Sequence, residues 1–220
     1  MADFAAILKA RYGSSSPMSA QPNVRRVRAR GVPCVAKFIV HRSPSGVHAP
    51  GGVSAKAGFD TEREVYRRLG RSWPVSVVDA FAARHGPTSG YVIVTTEVPS
   101  APWDTYVPSR ARDASIVKQL VRQLAAIHRA GVVHWDVFLK NVLFRPPCSA
   151  TIIDFEKSEL STSREDQEAD FGALAADFAR RENTRGIAVG MIRAMPLAAA
   201  HKALTSMLAR ATDLLNRNYF

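Results

Sequence analysis

The chain has 220 residues, of which 46% are apolar and 22% charged, proportions that give a globular protein a core of its own. A net charge of +11 favours acidic partners, among them nucleotides, nucleic acid and acidic proteins, but no zinc-finger or aromatic RNA-binding signature accompanies it, so nucleic-acid binding is unsupported. No apolar run is long enough to span a bilayer, the first ten residues lack a secretory stretch, and two cysteines, Cys34 and Cys148, exclude a disulfide framework and a cysteine metal site.

An intracellular protein is therefore expected, with both cysteines as small buried hydrophobes. Residues 13–22 form a Gly/Ser/Pro-rich break. In residues 25–30 arginines alternate with Val27 and Ala29, the pattern of a strand with its arginines on the wet face. Residues 32–40 read as a buried strand, and 43–58 as a loose loop. Residues 59–69 predict a helix in which Phe59, Val65, Tyr66 and Leu69 cover one side. Residues 75–81 and 91–96 predict two strands, joined by a turn over 85–90. Asp113 is placed to cap a helix over 114–129, with Val117, Leu120, Val121, Leu124, Ile127 and His128 on its inner face and Gly131 at its end. Short strands follow at 142–144 and 151–153 around Pro146 and Pro147, and helices run from Arg164 onward. Strands first and helices later make an α+β protein. The N-terminal part spans about residues 1–98, a hinge about 97–108, and the helical part 109–220.

The residues that carry chemistry lie in the second part. Asp136 and Asn141 stand on a tight loop, His134-Trp135-Asp136-Val137-Phe138-Leu139-Lys140-Asn141. The carboxylate can orient a hydroxyl and accept its proton. The Asn141 carbonyl oxygen suits magnesium, a hard cation that takes oxygen ligands. Asp154 ends an apolar strand, where it can bridge magnesium to phosphates. Lys37 stands in a strand and can pair with phosphates, and a helical glutamate, Glu62 or Glu64, can hold it.

In this order and spacing the set resembles the protein-kinase superfamily, with its strand lysine, helix glutamate, H-x-D-x-x-x-x-N loop and D-F-G. The resemblance implies a two-lobed fold, a small β-rich lobe and a truncated helical lobe. It also implies ATP and Mg2+ as cofactors. Asp136 would be the catalytic aspartate, with Lys140 beside the transferring phosphate. Asn141 and Asp154 would be the metal ligands, and Lys37 and Glu62, the better-spaced of the two glutamates, the phosphate-binding pair. Gly13, Ser14 and Ser15 would stand in for the phosphate-covering glycine loop, and Glu97 and Val98 for the adenine-binding hinge. A literal D-F-G at Asp170 lies 34 residues past Asp136 and lacks a preceding strand. The family's spacing agrees instead with the 18 residues to Asp154, and Asp170 fits a helical residue bracing the catalytic loop.

Several positions depart from the family pattern. The glycine loop has no second glycine. Trp135 replaces the arginine of H-R-D, Glu156 replaces the glycine of D-F-G, and Pro99 lacks an N–H where relatives use one at the hinge. The activation segment and the A-P-E motif that support a peptide substrate are missing. Three readings follow: a minimal serine/threonine protein kinase, whose partner is a protein acceptor or an activating protein, a small-molecule kinase, or a kinase-like scaffold that binds an acidic partner without turnover. Completeness of the Lys, Glu, Asp, Asn, Asp set places the protein kinase first.

Overall fold

The computed structural model describes residues 2–18, 21–40, 55–85 and 88–194. It divides into two units, one of Met1–Val98 with Phe155–Lys157 and one of Pro99–Asp154 with Ser158–Phe220. The first is β-rich and the second mostly helical, an α+β protein of the kinase-like kind.

The first unit is built on five antiparallel strands, β1 (Ser15–Met18), β2 (Gln21–Ala29), β3 (Val32–Val40), β4 (Val77–His85) and β5 (Thr88–Thr96), in the order β1-β2-β3-β5-β4. Alternation gives the sheet two faces. Val27, Ala29, Cys34, Ala36, Phe38, Val92 and Val94 form one face and bury against Phe4 and Leu8 of a first helix, α1 (Ala2–Tyr12). Phe4 stacks on Phe38 at 5.1 Å. Phe4 and Leu8 are the buried anchors of α1, with Tyr12 partly buried beside the same core, too few to announce a helix by periodicity. It forms because the sheet supplies the other half of the interface. Lys37 belongs to the opposite face, paired in register with Val24 and Ile93. There the helix α2 (Ala55–Leu69) packs through Phe59, which stacks on Tyr91 at 4.8 Å.

Several expectations shift. Residues 15–18 are strand rather than break. Pro17 is tolerated because β1 is the sheet edge, where a missing N–H costs no ladder bond. The helix starts at Ala55 instead of 59, so the end of the expected loop is helical, and residues 43–54 of that loop lie outside the described residues. β4 runs on to His85 and β5 begins at Thr88, and residues 86–87 of the expected turn lie outside the described residues. Arg26 and Arg28 are on the wet side as expected, but Arg30 is in the β2–β3 turn with φ 52°.

In the second unit, α3 (Arg110–Arg129) is capped by Ser109, whose hydroxyl accepts the Arg112 N–H at 3.3 Å. Asp113, expected as the cap, is already inside the helix and accepts the Tyr106 hydroxyl at 2.5 Å. Burial and that carboxylate together push the Tyr106 phenol up. The buried stripe is Ile116, Leu120, Leu124, Ile127 and His128, while Val117 and Val121 are only half-buried. They lie to one side of that stripe and, with the helix α5 (Arg185–Ala194), line an open groove. Gly131, φ 70°, ends the helix.

β6 (Val132–Val133) pairs with β9 (Glu159–Leu160), and β7 (Val142–Arg145) with β8 (Ser149–Ile152). Two glutamines one turn apart on α3 hold the second hairpin. Gln119 donates to the Cys148 carbonyl at 2.8 Å and accepts the Ala150 N–H, and Gln123 donates to the Ala150 carbonyl at 2.7 Å and accepts the Ile152 N–H at 2.8 Å. The strand leading to Asp154 is thereby bonded to a helix as if to another strand. Cys34 is buried and Cys148 half-buried. The last described helices are α4 (Arg164–Ala179) and α5. Among the described residues no helix is long and apolar enough to cross a membrane.

Candidate active site

The loop between β6 and β7 is held by hydrogen bonds to His134, Asp136, Asn141 and helix α4. His134 is fully buried. Its Nδ1 accepts the Asp136 N–H at 3.3 Å, so the ring proton sits on Nε2 and is donated to the Ile153 carbonyl at 3.0 Å. Burial lowers its pKa from the ordinary 6.5. The sign follows from proton counting. The folded ring stays neutral where the unfolded one charges, so stability is full above about pH 6.5 and falls as pH drops below it. The urea midpoint is expected to be lower at pH 5.5 than at pH 7.5. A midpoint equal at both values would remove His134 as a neutral strut.

Asp136 is buried, and its Oδ2 accepts Lys140 Nζ at 3.0 Å and Asn141 Nδ2 at 3.1 Å. Asn141 Nδ2 also donates to the Asp136 carbonyl at 2.8 Å. The amide nitrogen is thus committed to Asp136, which fixes which end of Asn141 is the nitrogen and turns its carbonyl oxygen away from Asp136. Lys140 is mostly exposed, so its ammonium reaches Asp136 from the solvent side.

Helix α4 clamps this loop from behind. Asp170, 2% exposed, accepts the N–H of His134 at 2.8 Å, the N–H of Trp135 at 3.0 Å and pairs with His128 Nε2 at 3.0 Å. Seven residues on, Asp177 accepts the Leu139 N–H at 2.8 Å. Two turns of helix separate the two carboxylates, so both face the loop and hold it on either side of Asp136. Asp170 therefore has the bracing position anticipated for it. Asp177 escaped sequence reasoning, although its i+7 spacing from Asp170 was the available signal. Trp135 is held at φ 58°, an uncommon backbone for a bulky residue.

Asp154 adjoins Asn141 through the sheet. Val142 pairs with Ile152, and the ladder continues with the Ile153 N–H donating to the Asn141 carbonyl at 2.9 Å. Asp154 is the next residue, with φ 70°, a strain of the kind that clusters at functional sites. A carboxylate and an oriented amide oxygen are hard donors that fit magnesium, which takes one or two carboxylates and completes its shell with phosphates and water. No cluster of three or more His, Cys, Asp or Glu side chains suited to an all-protein metal cage occurs among the described residues.

In the first unit, Lys37 Nζ lies 3.4 Å from Glu62 Oε2, and Glu62 is buried on the apolar side of α2. Glu64 is instead bound to Arg67 and Arg68, which hold its carboxyl down at about 2. Lys37 also meets Glu156 Oε2 at 2.8 Å, a partner that no local pattern disclosed. Gly13, φ 79°, closes α1, with its N–H bonded to the Lys9 carbonyl. Ser14 follows it, and the Ser15 hydroxyl accepts Arg25 Nε at 3.1 Å within β1. Residues 19–20, between β1 and β2 where the family's phosphate-covering loop would stand, lie outside the described residues. The Glu97 N–H is committed to the Pro33 carbonyl at 3.0 Å and its carboxylate to Arg26 at 2.7 Å, so an adenine contact at Glu97 falls to its carbonyl. Val98, half-buried, is the last residue of this stretch of the first unit.

Residues 95–191 match the model of the lipopolysaccharide kinase (Kdo/WaaP) family. The matched stretch contains Asp136, Lys140, Asn141, Asp154, Asp170 and Asp177 and leaves out Lys37 and Glu62. No curated protein matches the chain. The similarity is to a family of kinases, and with the fold it supports a phosphotransferase of the kinase type.

Proposed function

We propose that the chain is an ATP- and magnesium-dependent kinase that phosphorylates a hydroxyl of a saccharide, rather than a serine or threonine of a protein. The observation that carries the phosphotransferase is the Asp136–Asn141 loop, pinned by Asp170 and Asp177 and bonded beside Asp154. The acceptor class rests on the next segment. Only residues 155–163 separate Asp154 from α4, and two of them are committed to β9. That leaves no length for the platform on which a peptide substrate lies, and the family's own description names lipopolysaccharide.

Asp136 orients the acceptor hydroxyl and takes its proton as the new oxygen–phosphorus bond forms and ADP departs. Lys140, 3.0 Å from Asp136, can follow the transferring phosphoryl group with its charge. Asn141 and Asp154 would hold magnesium, which when bound neutralises phosphate charge. Lys37 would position the nucleotide's inner phosphates, and Glu62 holds Lys37. Fixed donors and charges of this kind supply most of the catalysis in phosphoryl transfer.

The test is transfer of labelled γ-phosphate from ATP and magnesium to lipopolysaccharide core saccharides, free sugars and a generic protein, side by side. Label is expected in a saccharide and not in the protein. Label confined to the protein would overturn the acceptor class, and a folded chain that neither transfers phosphate nor binds nucleotide would overturn the enzyme.

A further inference from the structure

The Lys37 ammonium meets the carboxylate of Glu62 at 3.4 Å and that of Glu156 at 2.8 Å. A carboxylate on this ammonium competes with any phosphate that the lysine receives. The two acids are not equivalent. The Glu62 side chain is 4% exposed and anchored in α2, whereas the Glu156 side chain is 37% exposed and sits on the short segment after Asp154. Glu156 makes the shorter contact and has the greater freedom to leave.

The helix makes room for it. Gly58 lies in α2, where glycine is a weaker helix former than alanine. A Cβ at Gly58 would stand 2.8 Å from Glu156 Cγ and 3.2 Å from the Glu156 carbonyl oxygen. Position 58 therefore accommodates Glu156 where it reaches Lys37, and Glu156 stands where the family pattern has a glycine with no side chain to offer.

We infer that Glu156 is a resident anion on the phosphate-binding ammonium of Lys37, and that a nucleotide binds by displacing it. Glu156 is then a determinant of nucleotide affinity, which rests on the kinase reading above. A phosphate oxygen replaces the carboxylate on Lys37, Glu156 turns to solvent, and Glu62 keeps the lysine in place. No bond is made or broken. Nucleotides with few phosphates compete poorly against the carboxylate, so discrimination between triphosphate and monophosphate is sharpened.

The experiment is calorimetric titration of the full chain with Mg-ATP and Mg-ADP, comparing wild type with Glu156→Gln, and a KM-against-kcat comparison wherever transfer is measurable. Glu156→Gln keeps the shape and removes the charge. Affinity is expected to rise about tenfold, the worth of one charge-assisted hydrogen bond, with KM for ATP falling and kcat not rising in step. Gly58→Ala, which crowds the Glu156 side chain, should move affinity in the same direction by less. Unchanged or weaker binding in Glu156→Gln, with wild type binding normally, overturns the inference and makes Glu156 a second support for Lys37. Folded wild type and variants that all fail to bind any nucleotide overturn the nucleotide reading itself, and the inference with it.

Discussion

Replacing Asp136 with asparagine is expected to lower the turnover of phosphate transfer by about 10²–10⁴-fold, the range of a lost general base, with nucleotide affinity little changed. The substitution removes the carboxylate and little else. The backbone bonds of residue 136, from its N–H to His134 Nδ1 and from Asn141 Nδ2 to its carbonyl, survive, so the loop and the orientation of Asn141 remain. Lys140 loses its ion pair, but it is mostly exposed, and such a pair contributes little to stability. Turnover and nucleotide affinity measured on the same sample separate the two effects. A variant that keeps wild-type turnover would remove Asp136 from the chemistry and leave the loop as a scaffold.

The second large effect is expected from Asp170. Asp170→Ala strips the acceptor from the buried His134 N–H, the part-buried Trp135 N–H and His128, and a broken buried charge network costs about 3–5 kcal/mol. For a chain of this size that lowers the melting temperature on the order of 10 °C. Asp170→Asn should cost less, about 1–3 kcal/mol, because one oxygen remains while an NH2 is set against an N–H donor. Both variants should lose activity, because Asp136 lies one residue beyond the clamped Trp135. Thermal melts followed by circular dichroism give the stability, and transfer assays well below the lowered midpoint give the activity. An Asp170→Ala protein as stable as wild type would show that the loop holds itself and that α4 is incidental.

The two variants act on different levels of the same site. In the proposed reaction Asp136 would carry the chemistry and little of the stability, whereas Asp170 accepts the N–H groups of His134 and Trp135 and fixes where Asp136 stands. A strained Trp135 backbone, φ 58°, is affordable because Asp170 and Asp177 over-determine the loop.

The sequence by itself determined what depends on near neighbours. Asp136 and Asn141 stand out because they fall on one tight loop between a helix and a short apolar strand, and Asp154 because it ends an apolar strand 18 residues past Asp136. The strand at 32–40 and the helix ending at Leu69 follow from period 2 and period 3.6. Between Glu62 and Glu64 the sequence favours Glu62 by its spacing from Leu69 and leaves Glu64 open, and the structure separates them, with Glu62 beside Lys37 and Glu64 held by Arg67 and Arg68. Only the tertiary structure decided the rest. Helix α1 carries few anchoring side chains, Phe4, Leu8 and the partly buried Tyr12, and exists because the sheet completes its core. Strand β1 tolerates Pro17 because it is an edge. Asp113 yields the cap to Ser109 because the Tyr106 hydroxyl takes its carboxylate. Glu156 reaches Lys37 across 119 residues of sequence, and Asp177 reaches Leu139 across 38. Periodicity and spacing report what a segment does with its own neighbours, whereas a buried polar group takes whichever partner the closed chain brings within 3 Å.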